Sequence, residues 1–168
     1  MSKLIAFVLV ILSTAQCWAL EGIGNTQIYF MKNLFEVPGG MMVIATGDAD
    51  QDMLIVKYSK AQGKDYIGFW DETENPLFKA INCPLNDFLN HAYSGESSPC
   101  ESSKVEAFKD EFVTGWESGY LDINGGRYYY TESEQFSTVF YLDNKNRIIH
   151  LDSDCMDKNR LISLRSPL

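Results

Sequence analysis

The chain has 168 residues, with 14 basic against 23 acidic side chains and a formal net charge of −9. That balance argues against a nucleic-acid binder, whose phosphate contacts need Lys and Arg, and against a protein that coats anionic lipid. It leaves room for a cationic protein partner, which an acidic surface would attract.

The first residues follow the order of a secretory leader. Lys3 supplies a positive start, Leu4 to Leu12 is an unbroken apolar run, and Ser13 to Ala19 is smaller and more polar. A run of that length suits a signal peptide and is too short to span a bilayer. A cut after Ala19 is expected, with residues 1-19 as the leader and 20-168 as one domain. A lipid anchor on Cys17 would need a small residue where Gln16 stands. Lys3 is the leader's one charge, so 13 basic and 23 acidic groups remain, a net −10. No later stretch is apolar enough to cross a membrane, and the short leader fits a bacterial host, so a periplasmic or secreted protein is expected.

Removal of Cys17 leaves Cys83, Cys100 and Cys155. An oxidising compartment favours at least one bridge, and three thiols allow three pairings. Cys83 with Cys100 is preferred, because the two flank one helix and its trailing loop. Cys155 is then left over, either buried as a small apolar residue or bridged to a second copy in a homodimer.

In chain order, the domain opens with short runs of apolar, β-branched and aromatic residues: Gln27 to Phe35, Met41 to Thr46, Met53 to Tyr58 and Tyr66 to Trp70. Turn formers separate them, which predicts an antiparallel meander. The period then changes. Pro84 suits a first helical position, Leu85, Phe88, Leu89, Ala92 and Tyr93 recur at helical spacing, and Gly95 supplies a stop. Ser103 to Glu106 matches a capping box for a second helix, with Val105, Phe108, Phe112 and Trp116 as its stripe and Gly119 as its end.

Strands return with Tyr120 to Ile123, Arg127 to Tyr130, Phe136 to Leu142 and Arg147 to Leu151, around turn signals at 124–126 and 143–146. Leu161 to Leu164 reads as an edge strand. The fold class expected is α+β: an antiparallel sheet, made of an N-terminal meander plus C-terminal hairpins, with two helices packed on one face.

Motifs for catalysis are missing from the sequence. It has no G-x-S-x-G and no H-E-x-x-H, and His91 and His150 are its two imidazoles. Zinc is disfavoured because no C-x-x-C pair occurs. Asp48, Asp50 and Asp52 fit positions 1, 3 and 5 of a calcium loop, but Met53 and Ser59 stand where Gly and Glu are needed. A carboxylate pair could serve a glycosidase, yet no pair among the acids is singled out by spacing. Neither a metal nor a cofactor is expected. Tyr128, Tyr129 and Tyr130 read as packed sheet residues.

The function expected is an exported, non-catalytic binding protein: a periplasmic inhibitor or immunity-type protein that docks a basic protein such as a cell-wall hydrolase. A secreted hydrolase with a carboxylate site and a small-ligand carrier are the alternatives. Loop parity locates the docking surface. If the meander strands run up, down and up, the loops 47–52 and 71–75 emerge at one end of the sheet. That rim gathers Asp48, Asp50, Asp52, Asp71, Glu72 and Glu74, with Trp70 or Phe69 at its base and Lys60 and Lys64 at the opposite end.

Overall fold

Alternating side chains bury both faces of four neighbouring strands in the computed structural model, which describes residues 24–47, 52–123, 126–143, 145 and 147–165. In chain order the elements are β1 (Asn25–Phe30), β2 (Asn33–Pro38), β3 (Val43–Gly47), β4 (Met53–Lys57), β5 (Tyr66–Asp71), α1 (Pro76–Lys79), α2 (Leu85–Ser94), α3 (Ser102–Phe112), β6 (Glu117–Ile123), β7 (Gly126–Glu132), β8 (Ser137–Leu142), β9 (Ile148–Ser153) and α4 (Lys158–Ser163). Seven strands make one antiparallel sheet in the order β3-β4-β5-β9-β8-β7-β6, and β1 with β2 forms a separate hairpin. The fold is α+β.

The sheet is the middle layer. On one face α2 and α3 lay Phe88, Leu89, Val105 and Phe108 over Tyr129, Phe140 and Ile148. On the other, Phe35 and Val37 of the hairpin and Leu161 of α4 cover Ile67, Phe69, Val139 and Leu151. Strand β8 shows the result: Val139 and Tyr141 belong to one core and Phe140 to the other, so its apolar run is buried on both faces. The Tyr128 to Tyr130 run divides the same way, with Tyr129 fully buried toward the helices and Tyr128 toward the hairpin.

Two expected elements take another form. The run from Gln27 to Phe35 is not one strand but the hairpin β1–β2, because Met31 and Lys32 adopt left-handed backbone at φ 49° and 63°. Such a two-residue turn usually carries Asn-Gly, so the sequence gives no warning of it. Leu161 to Leu164 is helical, not an edge strand. Asp157 caps α4, its carboxylate accepting from the Arg160 N–H at 2.8 Å.

The capping box does not form either. Helix α3 starts earlier, with Glu101 at the N-cap, and Ser103 donates to the Glu101 carboxylate at 2.6 Å. The helix stops at Phe112, Gly115 turns the chain at φ 86°, and Gly119 lies inside β6. Trp116 therefore leaves the helical stripe and meets Phe136 edge-on at 5.3 Å. Gly95 does end α2 in the left-handed conformation, at φ 73°.

Cys83 and Cys100 are bridged across α2 and its loop, at a separation of 17 residues. Cys155 is not left over: it too is disulfide-bonded. Among the described residues, no helix is long and apolar enough to cross a membrane. Replacing Cys83 and Cys100 together by Ser is expected to cost about 3 kcal/mol through the restored freedom of the open loop. Urea unfolding of the double variant measures this directly.

Candidate functional site

The end of the sheet reached by β4 and β5 has the expected parity. Met53 pairs with Trp70, and the Asp71 N–H donates to the Asp52 carbonyl at 2.9 Å, so the two loops do emerge together. Asp48 and Asp50 lie outside the described residues. Asp52 and Glu74 are exposed, and Glu74 pairs with Lys79.

Asp71 and Glu72 point inward, 7% and 6% exposed. Asp71 accepts from the Thr73 N–H at 2.9 Å, a local turn that short Asp side chains favour. The Glu72 carboxylate accepts from Asn75 Nδ2 at 2.7 Å and from His150 Nδ1 at 3.0 Å. Asn75 in turn caps α1 through the Leu77 N–H. These two acids tie the loop down, and the exposed charge of the described rim rests on Asp52 and Glu74.

Beneath the rim is an arrangement that the sequence did not suggest. His150, at the centre of the sheet, is stacked between Trp70 and Phe140 with ring centroids 5.0 and 4.4 Å away. A carboxylate on one imidazole nitrogen is the geometry that orients a general base. Here, however, Nε2 is buried with no hydrogen-bond partner, and a base must reach the proton it takes. As placed, the imidazole fastens the loop after β5 to the sheet centre. His91 has a similar local task, its Nδ1 lying 2.9 Å from Ser98 Oγ at the loop behind α2.

Two residues along β9, Asp152 accepts from the Tyr66 hydroxyl at 2.8 Å, while its other oxygen is buried and without a partner. Burial holds this carboxyl above its ordinary value of 3.8; Asp154 adds to the rise, and His150 and Tyr66 oppose it. Gly68 belongs to the same spot. A Cβ there would sit 1.8 Å from the Trp70 ring and 2.6 Å from Asp152 Oδ1, so the indole lies directly across bare backbone. Among the described residues no cluster of three His, Cys, Asp or Glu could hold a metal ion.

The open surface lies beside the rim. Among the described residues, strand β3 pairs only with β4, and Val43 and Ile44 on its opposite faces are 49% and 50% exposed. Met42 precedes it at 52%, and Tyr29 of the hairpin is 73% exposed. A groove of about 500 Å³ separates hairpin from sheet, lined by Tyr29, Met31, Thr46, Gly47, Asp52 and Met53 among others. No signal in the sequence separates an edge strand of this kind from a central one, so these residues were missed. No protein-family model matches the chain, and neither curated proteins nor solved structures provide a match.

Replacing Gly68 by Ala is expected to cost about 1–3 kcal/mol, because the indole must leave its stack on His150; urea unfolding checks it. Asp152→Asn tests the buried carboxyl by pH. A raised folded value means that the native state holds the proton more tightly, so wild-type stability falls as pH rises from 3.8 through the raised value. The amide lacks that slope. Between about pH 4 and about pH 7 the stability difference is expected to move in favour of the variant. A constant difference would mean that the carboxyl is not held up.

Proposed function

We propose that this is an exported protein-binding domain of inhibitor or immunity type. It docks a basic protein, such as a cell-wall hydrolase, along the β3 edge and the adjoining acidic rim. The observation that carries the reading is the contrast between the two edges of the sheet. Edge strands are normally blunted by charge or Pro, because a row of free N–H and C=O groups invites pairing with another chain. At β6 this protection is present: Glu117 pairs with Lys158 at 2.6 Å, and Asp122 with Arg127 at 2.8 Å. At β3, Val-Ile-Ala-Thr-Gly carries neither charge nor Pro, and both its faces are open.

An unprotected edge suits a partner that adds a strand, with main-chain bonds giving affinity and Val43 and Ile44 giving contact area. The acids supply the preference for a basic partner. Asp52 directly precedes β4, Asp48 and Asp50 stand between β3 and β4 in the sequence, and the whole chain is strongly acidic. Such charge speeds encounter more than it strengthens the final complex.

Binding of the purified domain to a panel of basic cell-wall hydrolases tests the reading, with inhibition of hydrolysis as a second readout. Ile44→Lys is expected to weaken binding about tenfold or more, mainly through faster dissociation. Asp52→Lys is expected to slow association and flatten its salt dependence while the fold stays intact. Binding that ignores both changes would remove the β3 edge and the rim from the interface. Turnover of a wall substrate by the domain itself would replace the reading with an enzyme.

A further inference from the structure

We propose that the groove between the hairpin tip and β3 is a subsite for one Lys or Arg side chain, carried by the strand that a basic partner adds to the β3 edge. The inference rests on the reading above and names the residue type that this edge selects.

Register places the groove. Leu54 lies opposite Phe69, a member of the hairpin-side core, and Thr46 lies opposite Leu54. Thr46 and Ile44 therefore face the hairpin, while Val43 and Ala45 face the helix side. A strand paired to the free edge of β3 continues this alternation, so its residue beside Thr46 points toward the hairpin. There it meets the groove of about 500 Å³, between Thr46 and Leu54 on the sheet and Tyr29 and Met31 on the hairpin.

The lining is apolar within and polar at the mouth. Phe30 is buried, and Met31 and Leu54 pack against the hairpin-side core. Asp52 is exposed, and so is most of the Tyr29 ring. A long basic side chain matches both parts, with its stem on the apolar wall and its cation between acid and ring. A purely apolar guest would strip water from the Asp52 carboxylate and return no partner.

The same trio of aromatic ring, acid and cation is complete at the opposite edge of the sheet. The Arg127 guanidinium lies 4.3 Å from the Tyr120 ring centre and pairs with Asp122 at 2.8 Å. Lys158 lies 4.6 Å from the Tyr130 ring centre and pairs with Glu117 at 2.6 Å. In the groove the ring and the acid are in place, but among the described residues no basic side chain lines it. Lys32 follows Met31 in the turn and is not part of the lining.

The hairpin wall is set in advance. Met31 and Lys32 hold left-handed backbone, which residues other than glycine adopt at a cost and which recurs at binding sites. The Met31 carbonyl accepts from Asn33 Nδ2 at 3.1 Å and from the Arg147 guanidinium, whose Nε donates to Asp143 at 2.7 Å. A turn fixed in this way keeps the groove open without a guest, so little order has to be gained on binding.

The probes are short synthetic peptides of alternating Thr and Val, identical except for Lys, Arg, norleucine or Glu at the centre. Each is titrated at low salt into the purified domain and its variants. The Lys and Arg peptides are expected to bind about fivefold or more tightly than the norleucine peptide, and the Glu peptide least tightly. Asp52→Asn and Tyr29→Ala should each cut that preference about two- to fivefold. Glu134→Gln removes one exposed charge at the far end of the sheet and should leave the preference intact. Equal binding of the Lys and norleucine peptides, or a preference that both groove variants leave untouched, would overturn the subsite. Binding that is equal for all peptides yet lost in Ile44→Lys would do so while the edge reading stands. No binding of any peptide at millimolar concentration would overturn strand addition itself, and the subsite with it.

Discussion

The pairing of β5 with β9 holds the two halves of this molecule together. Residues 43–71 make one meander and residues 117–153 another, and each alone would be a small sheet with a bare inner edge. Their junction sets Phe69 opposite Leu151 and Trp70 opposite His150 in a single register. Because side chains alternate along a strand, that register fixes both cores at once: Phe69 and Leu151 go to the hairpin side, Trp70 and His150 to the helix side. A slip of one residue would invert both. The last strand of the chain is thus the centre of the sheet, and the fold closes only when a late segment finds an early one.

The buried polar groups follow the same seam. Glu72 reaches His150, Tyr66 reaches Asp152, and the Asp154 carboxylate accepts from the Tyr66 N–H at 3.0 Å and from the Asp65 N–H. Ser153 donates to the Tyr66 carbonyl at 2.6 Å. Each link joins residues near 70 to residues near 150, on top of the ladder itself. Hydrogen bonds of this kind add little net energy each, but leaving one partner unmet inside costs more, so they penalise any other register. Asp71 and Glu72, which look like rim charges in the sequence, are used up in this seam and in the turn beside it.

That division explains what the sequence could and could not reveal. Helix α2 was legible because the spacing of Leu85 to Tyr93 and Gly95 agree, although Pro84 stands at the N-cap and not at the first helical position, and the bridge from Cys83 to Cys100 follows from the same local geometry. Four of the strands in the C-terminal half were legible from runs such as Phe136 to Leu142. Local signals failed where tertiary contact decides. Met31 and Lys32 accept left-handed backbone to fold β1 onto β2, and the Leu161 to Leu164 run has apolar spacing that suits strand or helix equally. The ends of the sheet were legible as well: loop parity put Asp52 beside Asp71. Whether an acid at that end faces water or the core depends on His150, 78 residues away from Glu72. No reading of neighbours in the chain reaches that far.

The open side of the molecule is a consequence of widths. Seven strands at about 4.8 Å spacing make a sheet about 29 Å across, whereas two helices about 10 Å apart cover some 20 Å of it. Part of the helix-side face must stay bare, and the bare part is set by where the helices stop. Trp70 marks that limit: its ring rests on His150 on one side and crosses Gly68 on the other, at the margin of the helix-side core to which α1 adds Phe78. Beyond it the floor drops to Ala45 and Ile55, paired across β3 and β4, with Val43 exposed at the edge. On the opposite face the β1–β2 hairpin brings Tyr29 to the margin of the groove above Thr46 and Gly47. Both coverings thus end short of β3, and for that reason an edge strand with no charge of its own also keeps both of its faces open.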